Sequence, residues 1–264
     1  MPHTDAETRD LFDREMREHA RPDGPGVRVE RAGPVVRQVG GPDDWNGVVW
    51  SDPGLDAQGA DAAIAAQIEH CTALGLPDFE WKLYDHDPAG LGNGCGPPGS
   101  WRRSRRRCSC AAELLAGPVE LPEGVSLRPV TDAAGAELMA RAHERAFSTD
   151  GRRLLHQVVK RLEEAPEDFV AVMAVDGDGE PVCSGRMELY PGTGFAGLWG
   201  GGTVADWRGK GIYRALVAYR ARIAAERGYR YLQVDATDMS APILRRLGFL
   251  ELGTTTPYVY RPAR

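Results

Sequence analysis

Long apolar runs are missing from this 264-residue chain, and nothing in it approaches the roughly 20 consecutive apolar residues that a bilayer-spanning helix needs. With a polar, acidic start from Met1 to Asp10, this points to a cytoplasmic protein with no membrane partner. Strong charge of one sign is lacking too. A formal net charge of -6 gives no support to nucleic acid as the main partner. Cysteine is scarce and odd in number: five residues, three of them clustered at Cys95, Cys108 and Cys110, which is no disulfide framework. Cys-x-Cys also lacks the CxxC spacing usual for zinc, so no metal is expected. What remains, 42% hydrophobic and 27% charged residues, suffices for one large domain or two small ones, and two are expected.

The second half organises itself clearly. Val125 to Val130 alternates like a strand, and Thr131 or Asp132 can cap a helix running toward Phe147, with a second helix after it. Phe169 to Val175 and Val182 to Leu189 are apolar runs around Asp176-Gly177-Asp178-Gly179, a hairpin turn, so they should pair antiparallel. Phe195 to Thr203 is a third strand, with Gly200, Gly201 and Gly202 near its end permitting a bulge or close backbone approach. Ile212, Leu216, Tyr219 and Ile223 then recur at helical spacing, with Arg214, Arg220, Arg222 and Glu226 mainly off that stripe, until Gly228. Tyr229 to Ala236 reads as a strand, Pro242 to Leu247 as a short helix, and Phe249 to Tyr260 as final strand material.

The informative stretch lies between strand and helix, from Val204 to Tyr213. A glycine-rich turn opening a helix leaves backbone N–H groups without intrahelical partners, and the helix dipole adds partial positive charge. Such a turn binds anions, and a pyrophosphate would fit.

From Val125 to Tyr260, about half the sequence, the chain resembles the GCN5-related N-acetyltransferases (GNAT). Arg208-Gly209-Lys210-Gly211-Ile212-Tyr213 matches the family's RxxGxG/A loop, with Tyr213 where the last Gly or Ala usually stands. Ile243-Leu244-Arg245-Arg246-Leu247-Gly248-Phe249 matches its later helix and Leu-Gly-Phe turn. The resemblance implies an α+β fold with a twisted, mostly antiparallel sheet flanked by helices. It also implies direct acyl transfer from acetyl-CoA, as co-substrate, to an amine without a covalent enzyme intermediate. Amides from Gly209 through Lys210, Gly211 and Ile212 to Tyr213 would hold the pyrophosphate, with Arg208 and Lys210 adding charge. The pantetheine arm would hydrogen-bond the backbone of Thr203, Val204 and Ala205, and an amide near Val204 would face the thioester oxyanion.

Acid and base are less plainly written. Many family members carry a tyrosine four residues before the glycine of Leu-Gly-Phe, and here that place is Leu244. No carboxylate lies between Phe195 and Thr203, so Glu188 is the nearest base candidate, against the alternative of a solvated strand-end charge. Asp238 stands where the family often has Asn near the cofactor; otherwise it caps a helix. His143 reads as a helix-surface residue rather than a base.

The first half carries a fainter copy of the same order. Val27 to Ala32, Val35 to Val39 and Gly47 to Trp50 read as strands, then a helix with Ala62, Ile64, Ala65, Ile68 and Cys71, then the strand Phe79 to Tyr84. Where the loop should be stands Ser51-Asp52-Pro53-Gly54-Leu55-Asp56, whose acids would repel a pyrophosphate. The expectation is two such domains in tandem, a degenerate acetyltransferase-like domain over 1–116 that has lost the cofactor site and a catalytic domain over 117–264. The rival reading of the first half is an unrelated α+β cap.

Residues 88–110 break every pattern on either side. Read one base early from the last base of the Gly92 codon, GC-rich codons for this stretch can give Glu-Arg-Leu-Arg-Ala-Ala-Gly-Phe-Val-Ala-Glu-Glu-Pro-Glu-Glu-Val-Leu-Val. That string is the helix, turn and strand the second-half template demands after Tyr84. On this reading the segment is out of frame, and the run Arg102 to Arg107 and the cysteines near His86 are accidents rather than a nucleic-acid patch or zinc site. A chain carrying it should be disordered there and short of an edge strand in its first domain.

Two functions stay open at this level. One is an N-acetyltransferase whose second half does the chemistry while the first walls the acceptor cleft or mediates a homodimer. The other is a non-catalytic acyl-CoA-binding or regulatory protein. The acceptor, a small-molecule or peptide amine, is not written in the sequence, because the loops that select it carry no code.

Overall fold

The computed structural model describes residues 4–88, 91, 100–102, 106–111 and 118–262. Two compact units divide the chain. The first holds residues 1–108, 236–238 and 251–264; the second holds 109–235 and 239–250.

The first unit begins with helix α1 (Asp5–Phe12), which sequence reading missed although its signal was local. Thr4 and Glu7 form a capping box, the Thr4 hydroxyl accepting from the Glu7 amide and the Glu7 carboxylate from the Thr4 amide. The helix continues as a π-helical turn, Asp13–Glu18. Strands β1 (Arg28–Ala32), β2 (Val35–Val39) and β3 (Gly47–Ser51) pair antiparallel in sequence, helix α2 (Ala57–Ala73) crosses over, and β4 (Phe79–Tyr84) returns parallel to β3. Val35, Val48, Phe79 and Trp81 bury against Ala63 of α2, and Leu91, 2% exposed, joins them.

The second unit repeats that plan at greater length. Strand β7 (Ser126–Val130) leads into α3 (Ala133–Phe147), whose N-cap Asp132 accepts from the Gly135 amide at 2.7 Å, and then α4 (Arg152–Glu164). Strands β8 (Phe169–Val175), β9 (Pro181–Leu189) and β10 (Phe195–Thr203) follow as an antiparallel meander. Helix α5 (Ile212–Glu226) crosses over to β11 (Tyr231–Ala236), parallel to β10, and the short α6 (Ala241–Arg246) comes next. Period-two burial explains the layers. Phe169, Ala171 and Met173 face α3 and α4, while Val172, Ala174 and Cys183 face Ile212 and Leu216 of α5.

The division of the chain departs from two sequential halves. Strand β12 (Leu250–Tyr260) lies beside β4, antiparallel, with Thr255 opposite Tyr84 and Tyr260 opposite Phe79, so the C-terminus is built into the first unit. The edge expected to be missing there is therefore filled. Of the segment read as out of frame, residues 89, 90, 92–99 and 103–105 lie outside the described residues, and so does Cys95. Within it β5 (Ser100–Arg102) pairs antiparallel with β12, and β6 (Arg106–Ala111) runs one residue past its end.

Candidate functional site

Strand β10 loses both neighbours in turn, and that opens the site. Its ladder with β9 slips between Trp199 and Gly202, leaving Gly200 and Gly201 out of register. Its parallel ladder with β11 covers only Phe195–Gly197, so the later half of β10 has no ladder partner on that side among the described residues. A strand edge so exposed is a template for an extended, amide-bearing ligand.

The chain leaves β10 through the 3-10 turn Ala205–Trp207 and enters α5 at Gly211. Gly209 and Gly211 sit at φ 75° and 84°, in the left-handed region that a side chain disfavours, and no side chain caps the helix. The amides from Gly209 to Tyr213 donate to no acceptor among the described residues. That leaves a row of undirected N–H groups at the positive end of a 15-residue helix, the kind of arrangement that attracts anions.

The neighbouring residues do different work from what their sequence suggests. Arg208 Nε donates to the Thr203 carbonyl at 3.0 Å and Nη2 to the Ala146 carbonyl at 3.1 Å, so its charge ties the loop to the ends of β10 and α3. Lys210 Nζ lies 4.3 Å over the Trp207 ring. The Val204 amide donates to the Val182 carbonyl at 2.9 Å and the Val204 carbonyl accepts from Trp207. That amide is therefore already engaged within the protein. Ala205 likewise uses its carbonyl on the Arg208 amide.

On the α3 side of β9 and β10 lies a polar cluster. Glu188 faces Gly197 across the ladder, its Oε1 3.6 Å from Arg186 Nε and its Oε2 accepting from the Tyr190 hydroxyl at 3.3 Å; its side chain is 12% exposed. It is thus an oriented, enclosed carboxylate rather than a solvated strand end. His143 is no simple surface residue either. Its ring packs on Phe147 at 4.6 Å, its Nδ1 is buried without a partner, and burial together with the Arg186 charge pushes its pKa down. Asp238 belongs to the first unit, its side chain 93% exposed and 3.9 Å from Arg107; the α6 cap is Ser240.

On the α5 side, burial pushes the Cys183 thiol up to about 11, against the Thr203 hydroxyl that donates to its sulfur at 3.2 Å. A thiol held neutral is no acyl acceptor.

Residues 134–249 match the acetyltransferase (GNAT) family. This stretch is a GNAT domain. A GCN5-related N-acetyltransferase from Kribbella flavida has the same fold with TM-score 0.69 over 90% of this chain and 91% of its own, at 23% identity. One from Sphaerobacter thermophilus gives 0.61 over 90% and 77%, at 18%. A tandem GNAT protein from the clavulanic acid biosynthesis pathway gives 0.54 over 100% and 99%, at 15%. At these identities the likeness is one of fold. No curated protein matches significantly.

The first unit repeats the GNAT strand order but not the anion site. Its β3–β4 ladder is two residue pairs long, so these strands also part, and Asp52 and Asp56 lie between β3 and α2. The Asp52 carboxylate accepts from the Gly54 amide and the Asp56 carboxylate from the Gly59 amide, both at 2.8 Å. Loop donors that would meet a phosphate are spent on the chain's own acids. In the second unit, the GNAT helix position often held by tyrosine is Leu244, fully buried.

Proposed function

We propose that the chain transfers an acetyl group directly from acetyl-CoA to an amine, a small molecule or a peptide, with residues 117–264 carrying the reaction. The observation that carries this reading is the run of undirected amides at Gly209–Tyr213 beside strands that part. These amides take the diphosphate, Lys210 adds charge, and Arg208 holds the loop in shape. The free edge of β10 pairs the pantetheine arm, and the bulge residues Gly200 and Gly201, outside the β9 ladder, replace Val204 as oxyanion donors.

Glu188, steered by Arg186 and Tyr190, accepts the proton the amine sheds as its nitrogen bonds to the carbonyl carbon. Asp238, exposed and in the first unit, is the weaker candidate. No helix among the described residues is long and apolar enough to cross a membrane, in keeping with a reaction in the cytoplasm. Release of coenzyme A thiol from acetyl-CoA across a panel of amines tests the proposal. Turnover with any of them supports it; tight acetyl-CoA binding with no turnover on any would leave a non-catalytic acyl-CoA binder.

A further inference from the structure

Arg220 is a buried cation, 1% exposed, with no carboxylate beside it among the described residues. Its Nε donates to the Leu216 carbonyl at 3.0 Å and its Nη1 to the Arg186 carbonyl at 2.8 Å. The guanidinium fills the space that the missing side chain of Gly185 leaves on the α5 side of β9; a Cβ there would lie 2.9 Å from Nη1. A buried cation without a counter-ion is strongly disfavoured, so its retention asks what anion forms nearby.

Two acidic protons lie within its field, those of Tyr213 and Cys183. Cys183 is closed off inside the sheet, its sulfur taken by Thr203. Tyr213 is differently placed. It stands about two helical turns before Arg220, in the first turn of α5, and its ring lies against the bulge of β10, where a Cβ at Gly201 would be 2.7 Å from its Cε2. Its phenol is hydrogen-bonded to the Ser240 hydroxyl, in the segment just before α6. The ring therefore lies against the part of β10 that has no β11 partner, at the start of α5.

We propose that Tyr213 is the proton donor to the departing thiolate, and that Arg220 is the positioning residue whose buried charge stabilises the phenolate left behind. This rests on the acetyl-transfer reading above. The amine nitrogen bonds to the thioester carbonyl carbon; on collapse the C–S bond breaks, its electron pair stays on sulfur, and sulfur takes the Tyr213 proton. The proton shed by the amine goes to Glu188 and then to water, and water returns a proton to the phenolate along Ser240. Burial raises the phenol pKa, while the Arg220 charge and the Ser240 hydrogen bond oppose the rise.

Tyr213→Phe removes one oxygen and leaves the packing. Calorimetry with coenzyme A and with desulfo-coenzyme A, which lacks the sulfur, asks whether the phenol meets that atom. Wild type should favour coenzyme A roughly 3- to 10-fold and the variant should not, with desulfo-coenzyme A bound equally by both. In turnover the variant should lose about 100-fold in kcat with the acetyl-CoA KM little changed, and the alkaline limb of its pH profile should vanish. Arg220→Met should move that limb to higher pH, and Arg220→Lys should restore it. Equal affinities for the two ligands in wild type, or wild-type kcat and pH profile in Tyr213→Phe, overturn the proposal. If wild type binds both ligands with a sulfur preference yet turns over no amine, the acetyl-transfer reading fails while the sulfur contact stands. If it binds neither, the cofactor reading itself has failed and the donor falls with it.

Discussion

At the scale of the residue, the anion loop shows how a motif's most visible member need not be its ligand. The Arg208 guanidinium spends two hydrogen bonds on the carbonyls of Thr203 and Ala146, so its contribution to acetyl-CoA binding should be indirect. Arg208→Ala is expected to weaken acetyl-CoA by about 10-fold, the worth of a hydrogen bond or two in loop order, rather than to abolish binding. A calorimetric titration checks it; a loss beyond about 1000-fold would mean the side chain grips the diphosphate itself. Local legibility was uneven here. Gly209 and Gly211 were readable because positive φ is a property of the residue, whereas the burial of Arg220 was not. Off the apolar stripe of α5, Arg220 reads as solvated; only the bare backbone at Gly185 makes room for it beneath the sheet.

At the scale of the element, the π-helical turn after α1 is clasped to the end of β4 by charge. Arg17, 3% exposed, meets Asp13 at 2.8 Å and Asp87, and its guanidinium carbon lies 3.8 Å from the centre of the Tyr84 ring. His86 Nε2 lies 2.8 Å from Asp13, and Asp85 joins the clasp to β12 through the Thr254 amide and hydroxyl, both at 3.0 Å. The Asp13 hydrogen bond raises the His86 pKa above 6.5 although burial opposes it. Burial alone would raise the Asp13 carboxyl, but His86 and Arg17 outweigh it and hold the group low.

A histidine whose pKa is raised by folding stabilises fully below its unfolded value and loses that contribution as pH climbs through the folded one. The first unit should accordingly lose stability as pH rises from about 6.5 through the raised His86 value. Asp13 works the other way, its contribution disappearing as the medium becomes strongly acidic. Thermal unfolding of His86→Asn against pH checks the first sign: the variant should be flat where wild type declines. None of this clasp was read from the sequence, since Asp87, which Arg17 meets, lies 70 positions away.

At the scale of the whole molecule, the described residues carry two copies of a plan, and the loop amides are left undirected in the second. Because Asp52 and Asp56 already occupy the loop amides of the first unit, titration should give one acetyl-CoA per chain; two equivalents would refute the degeneracy of that unit. Strand β12 makes a second test. Its Thr255–Tyr260 stretch pairs with all of β4, and Tyr258 and Tyr260 pack on the first unit's core. Removing residues 251–264 should therefore expose the amides of Phe79–Tyr84 to exchange at least tenfold faster, although the deletion lies at the far end of the chain. Protection unchanged in that strand would show the pairing to be dispensable.

The second unit's strands and helices, the duplicated order and the glycine turn before α5 were determined by the sequence alone, because period-two and helical burial, caps and positive-φ glycines act over a few residues. Where β12 pairs, that Val204 has no amide to give, that Arg208 braces the loop and that Arg220 is enclosed were decided only by tertiary structure. Each depends on backbone groups brought together from distant positions, and a hydrogen bond already made is invisible until both its ends are in place.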